Sequence, residues 1–342
     1  MADLEIPVLV AGGAGYIGSH TAKALRRAGM LPVVVDNLAT GNRWAVRFGP
    51  FAEGSIASRA LIRETVREYR IRGAILFAAH AYVGESTQDP AKYYRNNVSG
   101  SIEFLDGLLE SGVKTMVFSS SCSIYGIQKE IPIREESSKD PLSPYAETKL
   151  FLENALRWYD QAYGLRSVCL RYFNAAGADP EGEIGEWHDP ETHLIPLAIG
   201  AALGGGTLRI FGTDYSTPDG TAIRDYIHVT DLAEAHVGAL GYLLGGGASA
   251  RFNCGTGTGH SVKQVVETVE RISGRTVPVE YAPRRPGDAP ALVADARSIR
   301  QALGWEPRYS SLETIAATAW RWHSAFSESG GAGQPARIPR GS

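Results

Sequence analysis

The chain has 342 residues, 44% hydrophobic and 21% charged, and 34 Lys+Arg against 37 Asp+Glu leave a formal charge of −3. Such values exclude a small stapled scaffold and a disordered chain, and predict two compact units or one large α/β domain. With no basic stripe, no apolar run near the ~18 residues of a membrane span and no leader-like N-terminus, the expectation is a soluble, cytoplasmic protein without nucleic-acid or membrane partners.

In chain order, the apolar runs 6–11, 31–36, 73–78, 113–119 and 165–172 read as strands with helical patterns between them. They are rich in Val, Ile and Leu without polar alternation, as strands buried on both faces are. A Rossmann-type doubly wound parallel sheet is therefore predicted. After Asn174 comes a Gly-, Pro- and acid-rich stretch, 175–191, and then shorter elements at 209–211 and 222–228. A helix over 231–244 and a last one over about 311–326 complete the pattern. The predicted organisation is a main domain over 1–174 with a returning segment about 225–255, a smaller interleaved α/β lobe from 175–224 and 256–326, and a disordered tail at 327–342.

The first strand runs directly into Gly12-Gly13-Ala14-Gly15-Tyr16-Ile17-Gly18, which opens an apolar-periodic helix. In that setting Gly12 allows a tight turn and Gly15 lets amides approach a pyrophosphate. Gly18 permits close helix-on-strand packing, and the helix N-terminus favours the anion. Asp36, at the end of the second strand, suits ribose hydroxyls and repels a 2′-phosphate, which favours NAD over NADP even with Arg43 nearby.

Ser119-Ser120-Ser121 closes the strand at 113–119 and puts hydroxyls at the carboxyl edge of the sheet, where ligands of this architecture bind. Pro144-Tyr145-Ala146-Glu147-Thr148-Lys149 then enters a helix, with Tyr145 and Lys149 on one face. A phenol titrates near ~10, so Tyr145 serves as a base at neutral pH only if cations such as Lys149 and an oxidised nicotinamide stabilise the phenolate.

These features resemble the extended short-chain dehydrogenases/reductases, and within them the UDP-glucose 4-epimerases. The matching text includes segments 12–20, 119–126 and 143–149, with Val83-Gly84-Glu85-Ser86, Tyr93-Tyr94-Arg95-Asn96-Asn97-Val98 and Arg171-Tyr172-Phe173-Asn174. It continues through Phe211-Gly212-Thr213-Asp214-Tyr215, Asp219-Gly220-Thr221, Arg224-Asp225-Tyr226-Ile227-His228-Val229 and Arg284-Arg285-Pro286-Gly287-Asp288. The resemblance implies a reversible C4 epimerisation of UDP-glucose and UDP-galactose through a 4-keto sugar, with tightly bound NAD and a homodimeric assembly. It makes Tyr145 the base, Ser121 a hydrogen-bond partner of the sugar oxygen, and Lys149 a ribose ligand that depresses the tyrosine pKa. It places Gly12, Gly15, Tyr16, Ile17, Gly18, Asp36, Asn37, Ser55, Ile56, Phe77, Ala78, Ala79, Asn96, Ser119 and Phe173, with Tyr145 and Lys149, around the cofactor. Asn174, His193, Leu194, Arg209, Phe211, Arg224, Arg285, Asp288 and Leu292 then surround the UDP-hexose with Ser121 and Tyr145.

Departures from the family text bear on both ligands. Ala79-His80-Ala81 replaces a frequent Gly-Leu-Lys, and Ser55 stands where an Asp commonly meets adenine. His193-Leu194 replaces a frequent Asn-Leu, and Leu292 replaces the tyrosine of some glucose-specific members. No metal is expected, because neither His-x-x-x-His nor Cys-x-x-Cys occurs; His188 and His193 are five apart. Cys122, Cys169 and Cys254 are odd in number and widely spaced, which argues against disulfides. Three other readings stay open: a UDP-xylose/UDP-arabinose 4-epimerase, a nucleotide-sugar dehydratase or decarboxylase, and an inactive NAD-sensing interaction protein. Cys122-Ser123 lacks the acid pair of the dehydratases, and intact Ser121, Tyr145 and Lys149 speak against the last.

Overall fold

The computed structural model describes residues 5–285 and 287–328. Its first six strands are β1 (Ile6–Ala11), β2 (Met30–Asp36), β3 (Phe51–Glu53), β4 (Gly73–Leu76), β5 (Thr115–Ser119) and β6 (Arg166–Tyr172). The chain then leaves this sheet for β7 (Asn174–Ala176), β8 (Leu208–Phe211) and β9 (Ile223–His228), and returns as β10 (Ala250–Cys254). The last three strands are β11 (Gly259–Ser261), β12 (Val279–Ala282) and β13 (Ala291–Leu292). The main sheet has the order β10-β6-β5-β4-β1-β2-β3, parallel throughout. Two strands of this sheet were not read as strands in the sequence: β3, three residues long and half-buried, and β10, which falls in the returning segment.

Alternate residues of the apolar runs feed two separate layers, as a period of two requires. Val8, Val10, Val34, Ile75, Val117 and Val168 pack in one cluster with Leu232 and Leu240 of the helix Val229–Leu244. Leu9, Val33, Val35, Leu76 and Phe118 pack in the other with Phe104 and Leu108 of the helix Gly100–Glu110 and Leu152 of the helix Pro144–Tyr163. The winding direction reverses between β1 and β4, so the crevice expected for a ligand lies beyond their carboxyl ends.

Beside it, β9 pairs with β7, β11 and β13, while β8 pairs with β12. Ile195, Ile199, Val265, Val269, Ile315 and Ala319 form the core beneath them. The returning chain joins the main sheet through the helix Val229–Leu244 and β10, whereas β9 stays in the smaller sheet. Among the described residues no helix is long and apolar enough to cross a membrane. The three cysteines are buried and unpaired with one another. Of the tail predicted at 327–342, Ser327 and Glu328 end the last helix and the rest lies outside the described residues.

Candidate active site

The turn after β1 is shaped by what cannot enter it. Gly12 has φ +83, and a Cβ there would lie 2.5 Å from Ala78 N, in the loop after β4. A Cβ on Gly18 would lie 2.2 Å from Gly12 O. Gly15 caps the helix Tyr16–Arg27 with no side-chain hydrogen bond, and no acidic residue occupies the first turn. The positive end of that helix and its free amides are thus left for an anion. Asp36, 8% exposed, accepts from Ala14 N through Oδ2 at 3.0 Å and from Leu38 N through Oδ1 at 2.8 Å. Burial raises its pKa and the two amide bonds oppose that rise. Each carboxylate oxygen keeps a lone pair for a further donor.

Asn37 Oδ1 accepts from Ala39 N at 3.1 Å beside it, and Arg43, the residue that kept NADP in view, stacks 4.1 Å from the Phe51 ring centroid. Tyr16 donates to Gly177 O at 2.6 Å, tying the glycine loop to the segment after β7, and Ile17 packs against the core. Phe77 and Ala78 both donate to Ala11 O, at 2.8 and 3.1 Å, which holds Ala79 and its neighbours over the end of β1. Ser55, Ile56 and Asn96 line one open cavity of about 480 Å³ together with Lys92 and Arg95. A glycine cradle, an uncapped helix N-terminus and a buried carboxylate at the next strand end fit a dinucleotide.

The catalytic candidates converge at the end of β5. Ser143 caps the helix Pro144–Tyr163, accepting from Ala146 N at 3.2 Å, with Pro144 at the first helical position. That start fixes Tyr145, Lys149 and Glu153 on one buried face. Lys149 Nζ donates to Ser119 O at 2.7 Å and lies 5.7 Å from the Tyr145 ring centroid. Burial brings its amine down to about 7. Burial also pushes the Tyr145 phenol well up, with Tyr172 adding to the rise and a hydrogen bond from Ser121 acting against it. Ser121 further accepts from Ser123 N at 3.2 Å. In the protein alone, then, Tyr145 is a phenol, and cationic charge must be supplied beside it before it ionises.

Two positioning groups were not singled out in the sequence. Tyr172 OH hydrogen-bonds Ser119 Oγ at 2.7 Å, and burial pushes it up to about 12. Glu153 takes a bidentate bond from Arg171, at 2.9 and 2.6 Å, and one from Ser120 Oγ at 2.6 Å. The signals were there: Glu153 continues the Tyr145, Lys149 spacing, and Arg171 is a charge inside an apolar strand.

On the other lobe, Asn174 Nδ2 donates to Asp225 O at 3.0 Å. Arg224 pairs with Asp288 and donates to Ala289 O at 2.9 Å. Arg209 and Arg285 both lie over the Phe211 ring, 5.4 and 3.9 Å from its centroid. Leu292 pairs in register with Arg224 and packs in the cluster that holds Cys122, Ile124 and Phe173, so β13 delivers it beside the Ser121 turn. His193, 49% exposed, caps the helix Leu194–Ala202. Its Nδ1 lies 2.9 Å from oxygens of both Glu186 and Glu191, while Leu194 turns toward the core of the smaller lobe. Burial opposes charge on His188 and His193, but the two carboxylates outweigh it and raise them to about 9 and about 10.

A dinucleotide cradle facing a buried Ser-Tyr-Lys set is the equipment of a nucleotide-dependent redox site. The chain belongs to the NAD dependent epimerase/dehydratase family, which matches residues 8–255. It is 50% identical over 324 residues to a UDP-glucose 4-epimerase of Rhizobium meliloti (strain 1021), covering 94% of this chain and 98% of that one. The crystal structure of UDP-glucose 4-epimerase from Brucella ovis in complex with NAD is similar at TM-score 0.91 and 53% identity, covering 92% of this chain and 98% of that chain. UDP-glucose-4-epimerase from Stenotrophomonas maltophila, with bound NAD and formylated UDP-arabinopyranose, matches at TM-score 0.92 and 38% identity, covering 95% and 100%.

Proposed function

We propose that this protein interconverts UDP-glucose and UDP-galactose by inverting C4 through a 4-keto sugar, with NAD held throughout. The observation that carries the reading is the meeting of Ser121, Tyr145 and Lys149 at the end of β5, across the crevice from the glycine cradle. The relatives' shared activity and their NAD complexes support it. NAD supplies reversible two-electron oxidation at C4, held by the amides of the Gly12–Gly15 turn, Asp36 and Lys149. Tyr145 removes the proton of the 4-hydroxyl and returns it after the sugar has turned over. Ser121 holds that oxygen through its hydroxyl. Lys149, poised near neutrality, favours the phenolate when protonated.

The family text supports assigning residues 1–174 with the returning segment to NAD, and 175–224 with 256–326 to the UDP-sugar. In that assignment Arg209, Arg285 and Phe211 form the stack nearest the uridine diphosphate, Arg224 and Asp288 a hydrogen-bonded pair beside it, and Leu292 and His193 the sugar wall. A homodimer belongs to the same proposal. Phe151 and Trp158, 49% and 60% exposed, stand seven residues apart on one face of the helix Pro144–Tyr163 and suit burial against a second copy.

The test is a panel of UDP-hexoses, UDP-N-acetylhexosamines and UDP-pentoses incubated with the protein, followed by separation of C4 epimers. Fastest conversion of UDP-glucose and UDP-galactose is expected. Fastest conversion of the pentose pair would replace the donor, and loss of water or carbon dioxide from the sugar would replace the reaction.

A further inference from the structure

We infer that Glu186, His188, Glu191 and His193 form a binding site for one divalent transition-metal ion of the zinc type, in the loop that leads into the helix Leu194–Ala202. One ligand atom from each of the four residues lies within 4.8 Å of all the others. His193 Nδ1 is 2.9 Å from Glu186 Oε1 and 2.9 Å from Glu191 Oε1. His188 Nδ1 is 3.3 Å from Glu186 Oε1 and 3.5 Å from Glu191 Oε2. With metal bonds of about 2.0–2.2 Å, the edges of a tetrahedral ligand shell are about 3.3–3.6 Å, close to this spacing.

Hydrogen bonding within the quartet does not account for it. His193 Nδ1 is hydrogen-bonded to Glu191 Oε1, and that bond leaves Glu186 Oε1 unserved. Glu186 is 3% exposed, and its Oε1 and the buried His188 Nδ1 find no hydrogen-bond partner. Two buried polar atoms in charge contact but without hydrogen-bond geometry are imperfectly satisfied, whereas a metal ion coordinates both. Two carboxylates and two neutral imidazoles bring a divalent ion to zero net charge, and the nitrogen donors favour zinc, cobalt or iron over magnesium or calcium. The other such group among the described residues, Asp179, Glu181 and Glu183, already surrounds Lys23 Nζ at 2.7 to 2.8 Å and needs no ion.

The surroundings suit a structural site. The rings of Tyr16 and Tyr82 stand edge-on to His188, with centroids 6.3 and 6.4 Å away. Half-exposed His193 gives an ion a way in. Tyr16 belongs to the glycine loop, so an ion here braces the segment that crosses from the main sheet to the smaller lobe.

Full-length protein carrying no histidine tag, stripped with a chelator and dialysed, is titrated with Zn²⁺ by calorimetry and with Co²⁺ by visible absorbance. One ion per chain is expected, with the strong visible bands of four-coordinate cobalt. Glu186→Gln, which keeps the side-chain shape, and His188→Ala are each expected to weaken binding at least ~100-fold, beyond the usual loss from an outer-shell partner. His260→Ala, a histidine outside the quartet, leaves it unchanged. Circular dichroism and retained NAD establish that each variant is folded, and Glu186→Gln decides the matter if His188→Ala does not fold. No stoichiometric binding at ~100 µM free zinc, or binding that the Glu186 and His188 changes leave intact, overturns the site and makes the quartet an ion-paired cluster. Neither readout depends on sugar turnover, so the inference and the proposed reaction fail separately.

Discussion

At the scale of single residues, Tyr145 and Lys149 are perturbed in opposite senses by the same burial, which keeps Tyr145 a phenol and poises Lys149 near neutrality. Tyr145→Phe removes the base while keeping the ring, so turnover should fall by at least ~100-fold with NAD content unchanged. Steady-state rates beside the absorbance of extracted cofactor check this, and near-normal turnover would reassign the base. Lys149 titrates at about 7 in the fold. Above that pH, up to its ordinary value near ~10.4, the unfolded chain holds a proton that the native one lacks, so native stability rises through the window. Urea unfolding of cofactor-free protein should therefore show the wild type gaining on Lys149→Met between pH 7 and pH 9. Parallel curves would mean that the amine is not depressed. Leu292, beside the Ser121 turn, is smaller than tyrosine and offers no hydrogen bond, so UDP-N-acetylhexosamines should be poorer substrates than the plain hexoses by a discrimination of ~1–3 kcal/mol. Leu292→Tyr should lower the N-acetyl rate more than the hexose rate; equal losses would remove this position from the choice of donor.

At the scale of elements, the glycine turn and the helix behind it work as a unit because backbone meets backbone. A methyl group on Gly18 has nowhere to go, since Gly12 O stands 2.2 Å from its position and neither segment can move without opening the turn. Gly18→Ala should cost ~1–3 kcal/mol and strip NAD from the purified protein. Gly238→Ala, in the helix Val229–Leu244 with nothing within 4 Å of the new carbon, should instead stabilise by ~0.5–1 kcal/mol. Thermal unfolding and cofactor content of the two variants together separate steric exclusion from a general intolerance of alanine. The helix Pro144–Tyr163 is the second such unit. Its cap and Pro144 set the phase that brings Tyr145, Lys149 and Glu153 to one face, and the Glu153–Arg171 pair then locks it to β6.

At the scale of the whole molecule, the proposed site has one wall at the ends of β1, β4 and β5 and another on the sheet of β7, β9 and β13, so a ligand bound as proposed would couple the two sheets. The proposed redox cycle is closed, which gives NAD no reason to leave between turnovers. Protein purified without added cofactor should yield about one NAD per chain on extraction, and full activity from cofactor-free protein with none added would contradict the mechanism. A need for added NAD would instead locate a looser hold at Ser55 and Ala81, where the family text departs.

What could be read without coordinates is what the chain encodes locally. A strand-glycine-helix turn, unbroken apolar runs, and Tyr145 with Lys149 one helical turn apart follow from backbone geometry and periodicities of two and 3.6. The class of fold was legible for that reason, the residues proposed to hold NAD and to act as base were singled out on the same grounds, and the resemblance supplied the substrate. The tertiary structure alone decided contacts made across loops that carry no period. It paired Arg224 with Asp288, set Leu292 beside Cys122, and stacked Arg209 and Arg285 on Phe211. It also folded the irregular stretch after β7 so that Glu186, His188, Glu191 and His193 converge, although their spacing matches no metal motif. Such meetings depend on how two sheets and the segments between them pack in space, and sequence spacing does not record that distance.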